Sequence, residues 1–318
     1  MEKPYVLGLD MGGTNSVLGI VDARGQVLAR ISIKTQQYTD INDYVNALYE
    51  EATKIVEPIG GFEMIRGIGA GAPNANYYTG NIEQAPNLPW KGIVPFAQLL
   101  EQKFGMPAKI TNDANAAAVG EMTYGAARGM KDFIMITLGT GVGGGVVVNG
   151  QVLYGHDGFA GELGHVTVDY SENARMCGCG HKGHLEAYAS ATGVARTAKE
   201  IVTTTKKKTL LRELDPNNIT SKDVFDAAEK GDAVAKEIFD YTGMMLGRAL
   251  ADFIHFSAPE AIIMFGGLTK AGKYILDPVV KTMNESVMTI WKDKVKVMFS
   301  DLKEADAAVL GASALAWE

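Results

Sequence analysis

Cysteine is almost missing from this chain: Cys177 and Cys179, one residue apart, are the whole supply. That spacing allows at best a strained disulfide, so a disulfide-stapled secreted scaffold is excluded and a reducing, cytoplasmic setting is expected. Long apolar runs are missing too. No stretch approaches the roughly 20 residues that cross a bilayer, and Met1-Glu2-Lys3-Pro4 leads straight into a strand pattern ending at Asp10, which leaves no room for a signal peptide. A membrane partner is not expected. Basic clusters are scarce: 30 Lys and Arg face 37 Asp and Glu, for a formal charge of -7. The exception, Lys206-Lys207-Lys208, follows three threonines and reads as a solvated loop. Nucleic acid is therefore not an expected partner. What remains, 318 residues at 47% hydrophobic and 21% charged, suffices for two domains with real cores.

Glycine is plentiful and placed with purpose. Asp10-Met11-Gly12-Gly13-Thr14-Asn15 and Leu138-Gly139-Thr140-Gly141-Val142-Gly143-Gly144-Gly145 each follow an apolar strand pattern and precede another. Each is then followed by a tight turn and a Gly-Gln-Val-Leu segment, Gly25–Leu28 and Gly150–Leu153. Strand, glycine turn, strand, turn, strand thus occurs twice, the trace of a duplicated unit, and Asn149-Gly150 is a strong hairpin signal. Two matched loops able to grip phosphates suggest a two-lobed kinase. Gly139-x-Gly141-x-x-Gly144 also matches the dinucleotide fingerprint, but a Val-rich strand follows it where that motif demands a helix. The stretch Gly267-Leu-Thr-Lys-Ala-Gly272-Lys273 imitates a P-loop, with Tyr274 where Ser or Thr is required. The strand Ala261–Phe265 ending in Gly266-Gly267 is more useful as a close-approach surface for a nucleotide base or ribose.

Imidazoles and thiols crowd into one segment. Both cysteines and four of the five histidines (His156, His165, His181, His184) lie between positions 156 and 184. Reduced thiols and imidazoles at this spacing suit zinc, with His165, Cys177, Cys179 and His184 as the expected tetrahedral set. His181 in place of one of these four, or a metal-free loop, are the alternatives. A closed site of four ligands would be structural.

Phosphoryl transfer needs a carboxylate to take the proton of the attacking hydroxyl. Asp113 is the candidate, in Ile110-Thr111-Asn112-Asp113-Ala114-Asn115-Ala116-Ala117-Ala118, where a strand end meets an alanine-rich helix. A plain N-cap aspartate is the bland alternative, and Asn112 and Asn87, both able to bind hydroxyls, weigh against it. Asp10 beside the first glycine loop is placed to hold hydrated Mg²⁺.

Together these residues resemble the ROK family of sugar kinases and related repressors. The likeness runs from about Val6 to Gly311-Ala-Ser-Ala-Leu-Ala and rests on Asp10-x-Gly-Gly-Thr14, Asn112-Asp113-Ala-Asn-Ala-Ala-Ala118, and Gly139 to Gly145 through Gly161-Glu162-Leu-Gly-His165. It implies that Asp113 accepts the proton of a sugar 6-hydroxyl and that Asn87, Asn112, Glu162, His165 and Glu186 hold the other hydroxyls. It also implies that ATP phosphates lie on Asp10, Gly12, Gly13, Thr14, Asn15, Gly139, Thr140 and Gly141, with Gly266 and Gly267 near the nucleoside. The family's zinc loop reads Cys-x-Cys-Gly-x-x-Gly-Cys-x-Glu, and here His184 stands where a third cysteine is expected. A repressor of the family would carry a DNA-binding element before the first loop, and only nine residues precede Asp10, which favours a kinase.

The resemblance thus implies an α/β, actin-like (ribonuclease H-like) fold of two βββαβα lobes around a cleft that receives sugar and Mg-ATP. The expected lobes are 1–115 with 303–318, and 116–302. Glucose is the first expectation as substrate; N-acetylmannosamine, N-acetylglucosamine, fructose or allose, or a non-catalytic sugar sensor, are the alternatives. A homodimer is the family expectation.

Overall fold

Two five-stranded sheets with one internal order organise residues 3–317, the part of the chain that this computed structural model describes. The first contains β1 (Tyr5–Met11), β2 (Asn15–Asp22), β3 (Val27–Lys34), β4 (Ile65–Gly71) and, after the short hairpin of β5 (Ile82–Glu83) and β6 (Ile93–Val94), β7 (Ala108–Thr111). Its order is β3-β2-β1-β4-β7. The second contains β8 (Phe133–Leu138), β9 (Val142–Val148), β10 (Gln151–Val152), β11 (Ala261–Phe265) and β12 (Lys296–Phe299), in the order β10-β9-β8-β11-β12. In the first sheet β1, β2 and β3 are antiparallel neighbours, and β4 and β7 add in parallel. In the second, β10 is antiparallel to β9, while β8, β11 and β12 run parallel. The expected mixed α/β, actin-like architecture is present. At the β9–β10 turn, Asn149 and Gly150 both have positive φ, 53° and 74°, as a two-residue hairpin of this twist requires.

The helices are α1 (Ile41–Val56), α2 (Phe96–Phe104), α3 (Asp113–Tyr124), α4 (Glu186–Ala189), α5 (Ala191–Thr204), α6 (Ser221–Glu229), α7 (Ala233–Ser257), α8 (Lys273–Ser286) and α9 (Glu304–Ala314). α1 forms because Asp40 caps it, accepting from Asn42 N at 2.7 Å, and because Tyr44, Leu48 and Ala52 recur every four residues on the face it buries. That face meets Leu7 and Leu9 of β1 and Leu18 and Ile20 of β2. Val6 and Val21 point to the opposite side, against Val309 and Leu310 of α9. Covered on both faces, β1 reads as a continuous apolar run as far as Asp10. α9 comes so near that glycine is obligatory beneath it: a Cβ on Gly8 would lie 2.2 Å from the Val309 carbonyl oxygen, and one on Gly69 only 1.9 Å from that of Ala312.

By its contacts the chain divides into a first unit, 1–130 with 145–161 and 300–318, and a second, 131–144 with 162–299. This differs from the expected division at 115 and 303, because α3 and residues 145–161 belong to the first unit. α3 packs on α9 through small residues, with Gly120 and Gly311 in direct apposition, and Gly145 sits against Ala114 and Ala118 of α3. Alanines and glycines do not show this pairing in a sequence, since they supply close approach rather than a hydrophobic stripe. No helix among the described residues is long and apolar enough to cross a membrane.

Candidate functional site

In the first unit, Asp10, Gly71 and Thr111 stand in register at the carboxyl ends of β1, β4 and β7, the end of a parallel sheet where open α/β folds bind ligands. Asp113 follows two residues later as the first residue of α3. Asn112 is the N-cap, its Oδ1 accepting from Asn115 N at 2.7 Å, so its amide nitrogen is the atom that can donate to a hydroxyl. The Asp113 carboxylate accepts from Ala114 N at 2.9 Å. The residue is exposed at the surface, yet the protein crowded around the carboxylate desolvates its charge, and that raises its pKa. Burial, and then the charge of Asp113, lift Asp10 to about 6. Around the pair, Thr111 Oγ1 and both side-chain amide atoms of Asn115 are buried without a protein partner, a polarity that an ordinary core does not carry.

The first glycine loop is held from behind by hydroxyls. Tyr44 OH donates to Ser16 Oγ at 2.8 Å, Ser16 and Thr35 hydroxyls pair at 2.8 Å, and Thr35 Oγ1 donates to the Gly12 carbonyl at 2.8 Å. Because Thr35 gives its proton to Gly12, Ser16 must be the donor between them, so the relay runs one way from Tyr44 to the loop. Gly12 N closes the turn on Asn15 O at 3.0 Å, and β2 begins at Asn15. Gly13 lies against Asn87: a Cβ there would stand 2.9 Å from the Asn87 carbonyl oxygen. Asp10, Gly12, Gly13, Thr14, Asn15, Asn87, Asn112 and Asp113 therefore all belong to one unit. Ser16, Thr35 and Tyr44 escaped the sequence reading, because isolated hydroxyls within apolar patterns carry no motif.

In the second unit, β8 and β11 pair in parallel up to Thr137 and Phe265, so Gly139 and Gly266-Gly267 leave the sheet at adjacent strand ends. Gly266 has φ 107°, and a Cβ there would lie 2.6 Å from the Leu138 carbonyl oxygen. The second glycine loop is braced by α4 and α5. Glu186 Oε2 accepts from Val142 N at 3.1 Å and leaves no space for a Cβ on Gly141. The Gly139 carbonyl accepts from Ala191 N at 2.9 Å, and the Thr140 carbonyl from Thr192 Oγ1 at 2.8 Å.

Glu186 also links this loop to the Cys/His cluster, Oε1 lying 3.5 Å from Cys177 Sγ. His165, Cys177, Cys179 and His184 bring their ligand atoms within 4.8 Å of one another. Cys179 Sγ is 3.2 Å from His184 Nδ1, the two histidine Nδ1 atoms are 3.3 Å apart, and Cys177 Sγ is 3.7 Å from His165 Nδ1. Zinc bonds of about 2.0–2.3 Å in a tetrahedron place ligand atoms about 3.3–3.8 Å apart, so the donor set fits that ion. His165 Nε2 lies on the other side of its ring, 3.8 Å from Glu162 Oε2. Burial pushes the Cys177 thiol up to about 11, so near neutral pH it stays protonated unless a cation displaces the proton. Behind the cluster, Arg175 is buried against the rings of Tyr188 and Tyr241 and donates to Ala187 O, Thr197 Oγ1 and Glu200. This support is likewise absent from any motif.

A family model described as the ROK family matches residues 6–318. The chain belongs to the ROK family. It is 37% identical to a glucokinase of Halalkalibacterium halodurans over 98% of this chain and 94% of that one, and 35% identical to a glucokinase of Thermotoga maritima over 99% and 98%. Among solved structures it resembles a ROK family glucokinase from Streptomyces griseus in complex with glucose and AMPPNP, with a TM-score of 0.80, 32% identity and 98% of each chain covered.

Proposed function

We propose that this ROK protein is a glucokinase that transfers the γ-phosphoryl group of ATP to the 6-hydroxyl of glucose. The observation that carries the reading is the placement of Asp113 at the start of α3, beside Asp10 at the register-matched strand ends, in a chain of this similarity to glucokinases. Asp113 is the base: as the sugar oxygen forms its bond to phosphorus, the hydroxyl proton passes to the carboxylate and the bond to ADP breaks. Its N-terminal position on α3 aims helix amides at the same region. Asn87, the Asn112 amide, Glu162, His165 and Glu186 are the residues assigned to the remaining hydroxyls. The two glycine loops and Gly266-Gly267 are assigned to ATP, since backbone N–H groups without Cβ atoms permit close approach to phosphates. Mg²⁺ would supply charge neutralisation on the phosphates, and Asp10 is the group that would hold it through water. Two mutually repelling carboxyls, one lifted to about 6, suit a site that receives a cation.

Zinc on His165, Cys177, Cys179 and His184 belongs to the same reading and would be structural, tying the loop to Glu186. It predicts near-stoichiometric metal in protein purified without added zinc; metal-free protein indifferent to chelator would sink it. Assembly as a homodimer also belongs here, with solution mass as the test. For the activity itself, ADP release with Mg-ATP is measured across glucose, fructose, allose, N-acetylglucosamine and N-acetylmannosamine, beside a no-sugar control. Selective turnover on glucose supports the reading, a preference for another sugar corrects the substrate, and silence on every sugar removes the kinase assignment.

A further inference from the structure

The excursion from β4 to β7 delivers Asn87 to the first glycine loop, but its opening part has no role in the reading above. Asn76, 3% exposed, sits there with all of its polar groups engaged. Its N–H donates to Asn81 O at 2.8 Å, and its carbonyl accepts from Gly80 N at 3.0 Å. Its Oδ1 accepts from Tyr78 N and Thr79 N at 3.0 and 3.3 Å. The remaining group, Nδ2, donates at 2.7 Å to the carbonyl of Asp157, 81 residues away in sequence.

Asp157 lies in a turn that leads directly into Glu162 and His165. The turn closes on itself through Ala160 N to Tyr154 O, 3.1 Å, and Phe159 N to Asp157 Oδ1, 3.3 Å. It is docked by three contacts from the excursion: the Asn76 amide, the Tyr78 hydroxyl donating to Gly155 O at 2.9 Å, and the Tyr77 ring stacked on Tyr154 at 4.0 Å. Gly158 has φ 91°, and a Cβ there would meet Asn76 Oδ1 at 2.5 Å, so the turn is shaped around this side chain.

We propose that Asn76 is a positioning residue for sugar binding, one that fixes the 154–161 turn ahead of Glu162 and His165 without touching the sugar. The inference rests on the sugar-kinase reading. Only an asparagine serves here, because one end of the side chain must accept two N–H groups while the other donates to a carbonyl. An aspartate in its place would oppose a carboxylate to the Asp157 carbonyl, and an apolar residue would leave buried groups unpaired. A turn freed from this amide must be ordered when sugar arrives, and that cost enters the sugar KM rather than the chemical step.

The test compares wild type with Asn76→Asp, Asn76→Ala and the gentler Tyr78→Phe, which removes one docking bond from a side chain 58% exposed. Steady-state kinetics and amide hydrogen exchange are measured on each. The sugar KM should rise about tenfold or more for the Asn76 variants, the scale of one lost buried hydrogen bond, and severalfold for Tyr78→Phe. The ATP KM and kcat should stay within about twofold, with faster exchange confined to 154–161. Unchanged sugar KM, or sugar and ATP KM rising together with exchange faster throughout, overturns the proposal. If wild type phosphorylates no sugar, the kinase reading fails on its own, while exchange in 154–161 that is unchanged in the variants still overturns the clamp.

Discussion

The two glycine loops occupy equivalent places in two sheets of the same strand order, yet they are supported in opposite ways. The first has a carboxylate at its entrance, Asp10, and is held from beneath by the buried Tyr44, Ser16 and Thr35 hydroxyls. The second has no acidic residue between Thr137 and Gly145, and its carboxylate arrives from another element, Glu186 on α4. A charge built into the loop suits a site where charge changes during the reaction; an external brace suits a loop that only grips. The two turns are equivalent in topology, and the surrounding elements make them unequal.

The largest expected effect breaks this comparison at its chemical end. Asp113→Asn should lower kcat by ~100- to 10,000-fold with sugar affinity close to wild type; turnover near wild type would remove Asp113 as base. Wild-type kcat should also fall as pH drops through the raised Asp113 pKa, since the base must be ionised.

Asp10 gives the next effect. Its folded-state pKa of about 6 exceeds the usual 3.8, so the folded protein binds the extra proton between those values. Stability is therefore lost as pH rises through that window, and the deficit is complete above about 6, at roughly 3 kcal/mol. Asp10→Asn should raise thermal stability at pH 7, lose that advantage near pH 4, and weaken Mg-ATP use. A melting temperature below wild type at pH 7 would contradict the desolvation argument.

The loop supports themselves separate at the small end. Thr35→Val strands the Gly12 carbonyl and the Ser16 hydroxyl in a buried relay and should cost about 1–3 kcal/mol in denaturant unfolding. Thr192→Val removes an exposed bond to Thr140 and should stay within about 0.5 kcal/mol. Equal costs would mean the first loop is not held by its relay.

The duplicated turns, the strand-end aspartates, the Asn149-Gly150 hairpin and the Cys/His spacing were all legible, because each depends on residue type at short separation along the chain. The hydroxyl relay, the Arg175 contacts and the bond from Asn76 to Asp157 were not, since they reach across 12 to 81 residues with side chains that are ordinary in local context. The contact boundary at 130 was hidden for a related reason: α3 and α9 pair through alanine and glycine, which mark no face.

By itself the sequence determined where phosphate-sized loops form and which carboxylates and thiols exist to serve them, since turn chemistry and ligand type are local properties. Which of those groups lose water, which backbones approach too closely for a Cβ, and which loop receives its carboxylate from outside were decided by the tertiary structure. Desolvation and packing depend on what arrives from distant parts of the chain.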